Sequence, residues 1–183
     1  NEEASTVLCE ERGWNTVELA SSLLSSPIPL ILKGALLRLL GALAKRKAST
    51  ARIWNALATF NTCAFDDLGQ LGGLQRELEE KECPSREYPS TLGCVHMLRS
   101  LFSHPLVAPS APSAAAPFLH FLTKSVLSQL AQRSYNDVQQ MVGCVFSKLF
   151  CHFFALLCAC ANNAAYDMVY VEYHSLRNAV SSC

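Results

Sequence analysis

At 183 residues the chain is long enough for one ordinary domain with a real hydrophobic core. Half of it is hydrophobic and only 16% is charged, against a usual share of about 25%, so much of its surface must be covered, internally or by a neighbour. Lys+Arg and Asp+Glu balance at 15 each, which excludes the basic field that draws nucleic acid or an anionic membrane and leaves protein as the partner class.

Trp14 to Leu24 offers Val17, Leu23 and Leu24, with Thr16 as a candidate N-cap, and predicts a short helix. Ser25-Ser26-Pro27-Ile28-Pro29 stops it, and Pro29 suits the first position of the next helix, where a missing N–H costs nothing. Leu32, Ala35, Leu36, Leu39, Leu40 and Leu43 then recur at helical spacing, a wide apolar face that ends at Lys45-Arg46-Lys47. Positive charge in a last turn complements the helix dipole, a role preferred here to a nuclear-import tag. Ser49 or Thr50 caps a third helix bearing Ile53, Trp54, Leu57 and Phe60. Leu68 to Cys83 carries Leu71, Leu74 and Leu78 beside a charged flank of Glu77, Glu79, Glu80, Lys81 and Glu82. Its early Gly69, Gly72 and Gly73 each cost up to about 1 kcal/mol, so the stable part begins near Leu74.

Pro84 and Pro89 bracket a turn, and Leu92, Val95, Leu98, Leu101 and Phe102 mark a further helix to Ser103. The stretch 104–117 is rich in Pro, Ala and Ser, carries no formal charge and is expected to be a mobile loop that tolerates deletion. Phe118, Phe121, Leu122, Val126, Leu127 and Leu130 predict one long helix, and Met141, Val145, Leu149, Phe153 and Leu156 another. The last segment, Tyr166 to Val180, fits a helix or an extended run. No sustained period-two alternation and no Asn-Gly hairpin signal occurs elsewhere. The expectation is an all-α chain of helices in antiparallel succession, an irregular HEAT-like solenoid fragment divided into helical repeats over 1–103, the loop 104–117 and continuing helices over 118–183. No fixed-length repeat supports a consensus array.

Candidate chemistry is sparse. Catalytic, nucleotide-binding and zinc-protease signatures are missing, and Gly69, Gly72 and Gly73 follow no strand and precede no phosphate-reading lysine. Cys144, Cys151, His152, Cys158 and Cys160 are zinc-binding types, but they lack the close Cys pairs on turns that structural zinc uses. They are read as core filler, and a Cys–His catalytic pair among them lacks an orienting third group. Nine cysteines, an odd number, with no N-x-S/T sequon, suit free thiols in a reducing compartment. Residues 142–161 are the best membrane candidate, but Lys148 sits near their middle, at a cost of about 2.5–3.5 kcal/mol in a bilayer, so a buried helix is expected instead. The chain opens at Asn1 and closes at Cys183, and both ends read as cuts in a longer protein.

A more specific pattern occupies the middle. The run LQRELEEKECPSREYPSTLGCVHMLRSLF passes from a glutamate-rich helix through the turn Glu87, Tyr88, Pro89, Ser90, Thr91, which opens an apolar helix. After the variable loop comes Pro117, Phe118, Leu119, His120, Phe121, Leu122. Pro89 can start a helix, Thr91 can satisfy an orphan N–H of its first turn, and Tyr88 can bury its ring while its hydroxyl finds a partner. The order and spacing of these features, preceded by SSPIPLILKGALLRLLGALA and ARIWNAL, resemble the large adaptor nucleoporins of the nuclear pore's inner ring over roughly Ser22 to Phe150. The resemblance implies a non-catalytic, cofactor-free scaffold at the nuclear envelope. Its helical surfaces would hold linker nucleoporins and neighbouring subunits in a large symmetric assembly, without nucleic acid and without a membrane span. Tyr88, Pro89, Thr91, Pro117, Phe118 and Phe121 would be structural motif residues and no catalytic residue is carried over. The alternative is a HEAT-type transport receptor or other protein-binding solenoid, although an import receptor would be clearly acidic and this chain is neutral.

Overall fold

A computed structural model describes residues 15–59, 73–103, 115, 117–118, 120–127, 129, 132–133 and 135. Every regular element among them is helical. In chain order they are α1 (Thr16–Leu24), α2 (Leu30–Leu43), α3 (Lys47–Thr59), then α4, which joins Gly73–Glu77, a π-helical turn Leu78–Glu82 and Cys83–Ser85, then α5 (Pro89–Phe102) and the π-helical α6 (Phe121–Leu127). None is long and apolar enough to cross a membrane. The stretch 104–114, the helix and metal candidates beyond residue 135, and the segment 166–180 lie outside the described residues.

The helix starts differ from expectation by a residue or more. Asn15 rather than Thr16 holds the N-cap position of α1, and Pro29 precedes α2 instead of opening it. α3 begins at Lys47, so Ser49 sits inside its first turn, where its hydroxyl accepts from the Arg46 N–H at 3.2 Å and donates to the Arg46 carbonyl at 2.9 Å. This reach back from the third helical position is half of a capping box. α2 stops at Leu43 with no basic residue in its last turn. The triplet Lys45-Arg46-Lys47 therefore forms the turn into α3 rather than a charge on the α2 dipole.

The core is one cluster. Val17, Ala20 and Leu24 of α1 join Leu37, Leu40 and Leu43 of α2, Ile53, Trp54 and Leu57 of α3, and Leu74 and Leu78 of α4. The Trp54 ring meets Phe102 at 5.6 Å and Phe118 edge-on at 6.0 Å, so one indole ties α3, α5 and the start of the later segment together. Arg52 forks onto the Glu18 carboxylate through two 2.7 Å bonds, joining α3 to α1.

The most extensive helix pair is α2 with α5, and it is parallel. Gly34 lies against Pro89, Ser90 and Gly93, while Gly41, two turns on, lies against His96, Met97 and Ser100, so both helices climb together. Antiparallel succession alone does not produce such a pair. Parallel pairing of helices that are not consecutive is the relation between units stacked in a solenoid. The approach is close enough to require glycine. A Cβ on Gly34 would stand 2.2 Å from the Pro89 carbonyl oxygen, one on Gly93 2.5 Å from the Gly34 oxygen, and one on Gly41 2.9 Å from the Met97 Cα.

That choice of face corrects the reading of α2. Its buried side is Lys33, Gly34, Leu37, Leu40, Gly41 and Leu43, whereas Leu32 and Leu39, expected inside, are exposed. Helix-to-helix distance is set by the smallest residues, so the glycine side was chosen over the bulkier leucine side. In α1, likewise, Leu23 is exposed and Ala20 and Ser21 are buried.

Candidate functional site: a sealed polar corner

Where α4 turns into α5, the sequence creates a capping problem. Pro89 opens α5 and Tyr88 holds its N-cap position, and tyrosine has no oxygen placed to accept from the first turn. The N–H groups of Ser90 and Thr91 therefore need an acceptor from elsewhere. Arg86 takes the left-handed conformation, with φ of 60°, and reverses the chain so that α5 starts back alongside α4.

Glu82 supplies the acceptor. It is 0% exposed, and its carboxylate receives the Ser90 N–H at 2.6 Å, the Thr91 N–H at 3.3 Å and the Thr91 hydroxyl at 2.5 Å. A negative group at a helix N-terminus also meets the positive end of the helix dipole. Glu82 closes a π-helical turn. Leu74, Leu78 and Glu82, at four-residue intervals, share one buried face of α4. Burial is the largest influence on Glu82 and pushes its pKa above the usual carboxylate value, outweighing the bonds from Thr91 and Ser90 and reinforced by neighbouring Glu77.

Glu77 is itself buried and pairs with the buried ammonium of Lys33 from α2. Its second oxygen, like the Ser90 hydroxyl, has no hydrogen-bond partner. One corner thus holds two carboxylates and one ammonium away from water, an arrangement that survives only when well bonded, because uncompensated burial costs several kcal/mol per ion. On its outer side the Tyr88 ring, 4% exposed, packs against Tyr135 at 4.9 Å, and its hydroxyl shares a hydrogen bond with the Cys83 thiol. Burial raises the pKa of Cys83, and of Tyr135 to about 12. Arg133 adds a clasp, donating to Glu79 of α4 and to the Ser125 carbonyl of α6.

Two expectations change here. Glu77 and Glu82, read as a charged flank, are interior. Thr91 does not satisfy an orphan N–H; it donates its hydroxyl to Glu82, which serves those N–H groups instead. The signal for Glu82 was present as a missing one, a helix opened by proline with no acceptor at its cap. Of the six motif residues, Tyr88, Pro89 and Thr91 converge on this corner. Phe118 and Phe121 are buried in the same core cluster as Tyr88, Phe118 against Trp54, and Pro117 is exposed.

The Glu82 carboxylate is saturated with donors and closed to solvent. Cys83 is a free thiol, and the described residues contain no group of three or more His, Cys, Asp or Glu able to hold a metal.

The chain is similar to the protein named "Nuclear pore complex protein Nup205" of Drosophila melanogaster, with 26% identity over 139 residues. That match covers 74% of the chain but only 7% of the relative, so the chain spans a small part of that protein's length. The family described as "Nuclear pore complex scaffold, nucleoporins 186/192/205" matches residues 1–156, which includes every described helix. With most of its length matched in this way, the chain belongs to the nuclear pore complex scaffold family of nucleoporins 186/192/205, components of the pore at the nuclear envelope.

Proposed function

We propose that the chain is a structural segment of the pore's inner ring, holding linker nucleoporins and neighbouring subunits through its helical surfaces and catalysing no reaction. The observation that carries this reading is the family match over residues 1–156, within which the helices lock by glycine contact and a sealed polar corner. A close-packed core and a helix start bonded from inside suit such a stack to holding one shape. Division into repeats over 1–103 and 118–183 with a loop between belongs to the same reading.

Proximity labelling from the full-length protein in cells tests it. Inner-ring scaffold and linker nucleoporins should dominate the labelled set. A set dominated by soluble cargo would overturn the reading in favour of a HEAT-type transport receptor.

A further inference from the structure

α2 has two faces, and α5 uses only one. On the other, Ile31, Ala35, Leu39 and Ala42 succeed one another turn by turn, all exposed. Ile31 is 73% exposed, Leu39 37%, and Leu32 beside them 47%. A scattered exposed leucine is ordinary, but a continuous aliphatic stripe along a helix is a surface awaiting cover. Ala35 and Ala42, two turns apart, leave shallow seats between the branched residues, at the interval on which a second helix sets its side chains.

One edge of the stripe is positive. Arg38 of α2 and Arg99 of α5 are exposed and both act on half-buried His96, whose pKa is held down by burial first and then by these two guanidiniums. None of the described ion pairs uses Arg38 or Arg99.

We propose that this outer face of α2 seats an amphipathic helix of another polypeptide chain, aliphatic along its centre, with Asp or Glu along the edge that meets Arg38 and Arg99. The charge pattern calls for acids on the occupant, and this chain's own acidic segment 1–12 offers just two large aliphatics, Val7 and Leu8, too few to cover the stripe. This chain's own most apolar segment, 142–161, carries Lys148 and no carboxylate, so it would bring like charge to the edge. The inference rests on the scaffold reading and names a surface through which the scaffold holds a partner.

The test is site-specific photocrosslinking of the full-length protein in cells. A benzophenone amino acid is placed at Ala35, or at exposed Lys81 of α4 as the control, and the crosslinked peptides are sequenced by mass spectrometry. Crosslinks from position 35 should fall on one helical segment of another chain that combines aliphatic and acidic residues. Arg38→Glu should reduce their yield about tenfold, the loss of one well-placed charge contact, and reversing the facing acid to Lys should restore it. Crosslinks to this chain itself, whether to 142–161 or to the acidic 1–12, would overturn the proposal. So would a target segment lacking acids, or a yield unmoved by Arg38→Glu. The position of the same protein at the nuclear rim is scored in parallel. Rim residence with intrachain crosslinks sinks this proposal alone, whereas absence from the rim sinks the scaffold reading while the crosslinks still identify the occupant.

Discussion

Tyr88 and Ser90 lie on either side of Pro89 and are almost equally hidden, 4% and 1% exposed, yet their removal should be felt very differently. Tyr88 fills space between Tyr135 and the core and holds Cys83, so Tyr88→Ala should cost about 3–4 kcal/mol in denaturant unfolding. The Ser90 hydroxyl has no partner, and Ser90→Ala should stay within about 0.5 kcal/mol of the parent. Glu82→Ala should cost about 3 kcal/mol, since it strands two helix-start N–H groups and the Thr91 hydroxyl. Glu82→Gln keeps an acceptor oxygen and should cost about 1 kcal/mol. Two carboxylates then tilt stability against pH in opposite senses. Glu18 is held below 4.5, chiefly by its bond from Arg52, so its contribution is present above 4.5 and lost as pH falls through its lower folded value; Glu18→Gln should flatten that acid loss. Glu82 is raised by burial, so the unfolded chain ionises first and stability declines as pH climbs from 4.5 through the folded value; Glu82→Gln should remove that decline. Thermal melts of both variants across the acid range check the two signs. At this scale the sequence disclosed the buried Tyr88 and the helix-opening Pro89, because both act through local conformation. It hid Glu82 and Glu77, because a glutamate in a run of charges looks solvated until a distant Lys33 and a returning helix start enclose it.

At the scale of elements, glycine decides which helices meet. In an exposed helix interior Gly→Ala gains up to about 1 kcal/mol in propensity. At Gly34 the added methyl meets the backbone carbonyl of Pro89 at 2.2 Å, and backbone cannot step aside cheaply. Overpacking of this kind costs about 1–3 kcal/mol or more, so Gly34→Ala should reverse the usual sign and destabilise by about 2 kcal/mol. A melt in which Gly34→Ala is neutral or stabilising would mean that α2 and α5 are not in contact there. The helices themselves were readable from apolar spacing: α5 runs Pro89–Phe102 with Leu92, Val95, Leu98, Leu101 and Phe102 all buried, as the spacing predicts. The inward side of α2 was not readable, because leucines surround that helix and only the seven-residue spacing of Gly34 and Gly41 distinguishes the packed side. The π-helical geometry of Leu78–Glu82 and Phe121–Leu127 also escaped the pattern, since the buried residues there keep spacings that suit an α-helix too.

For the whole molecule, membership of the pore scaffold family sets these local devices in a structural component of the nuclear pore. Composition pointed that way early, since a neutral chain with half its residues hydrophobic has surface to bury and no field to steer charged ligands. Sequence order supplied the family, while the parallel pairing of α2 with α5 had to come from three dimensions, because contact between non-consecutive helices leaves little trace in local periodicity. The scaffold claim is tested most directly by residence time, which spans milliseconds to days among protein complexes. Full-length protein carrying a fluorophore should sit at the nuclear rim, and after bleaching of a rim segment the signal should stay dark for hours. Recovery within seconds would mark an exchanging carrier and contradict the account.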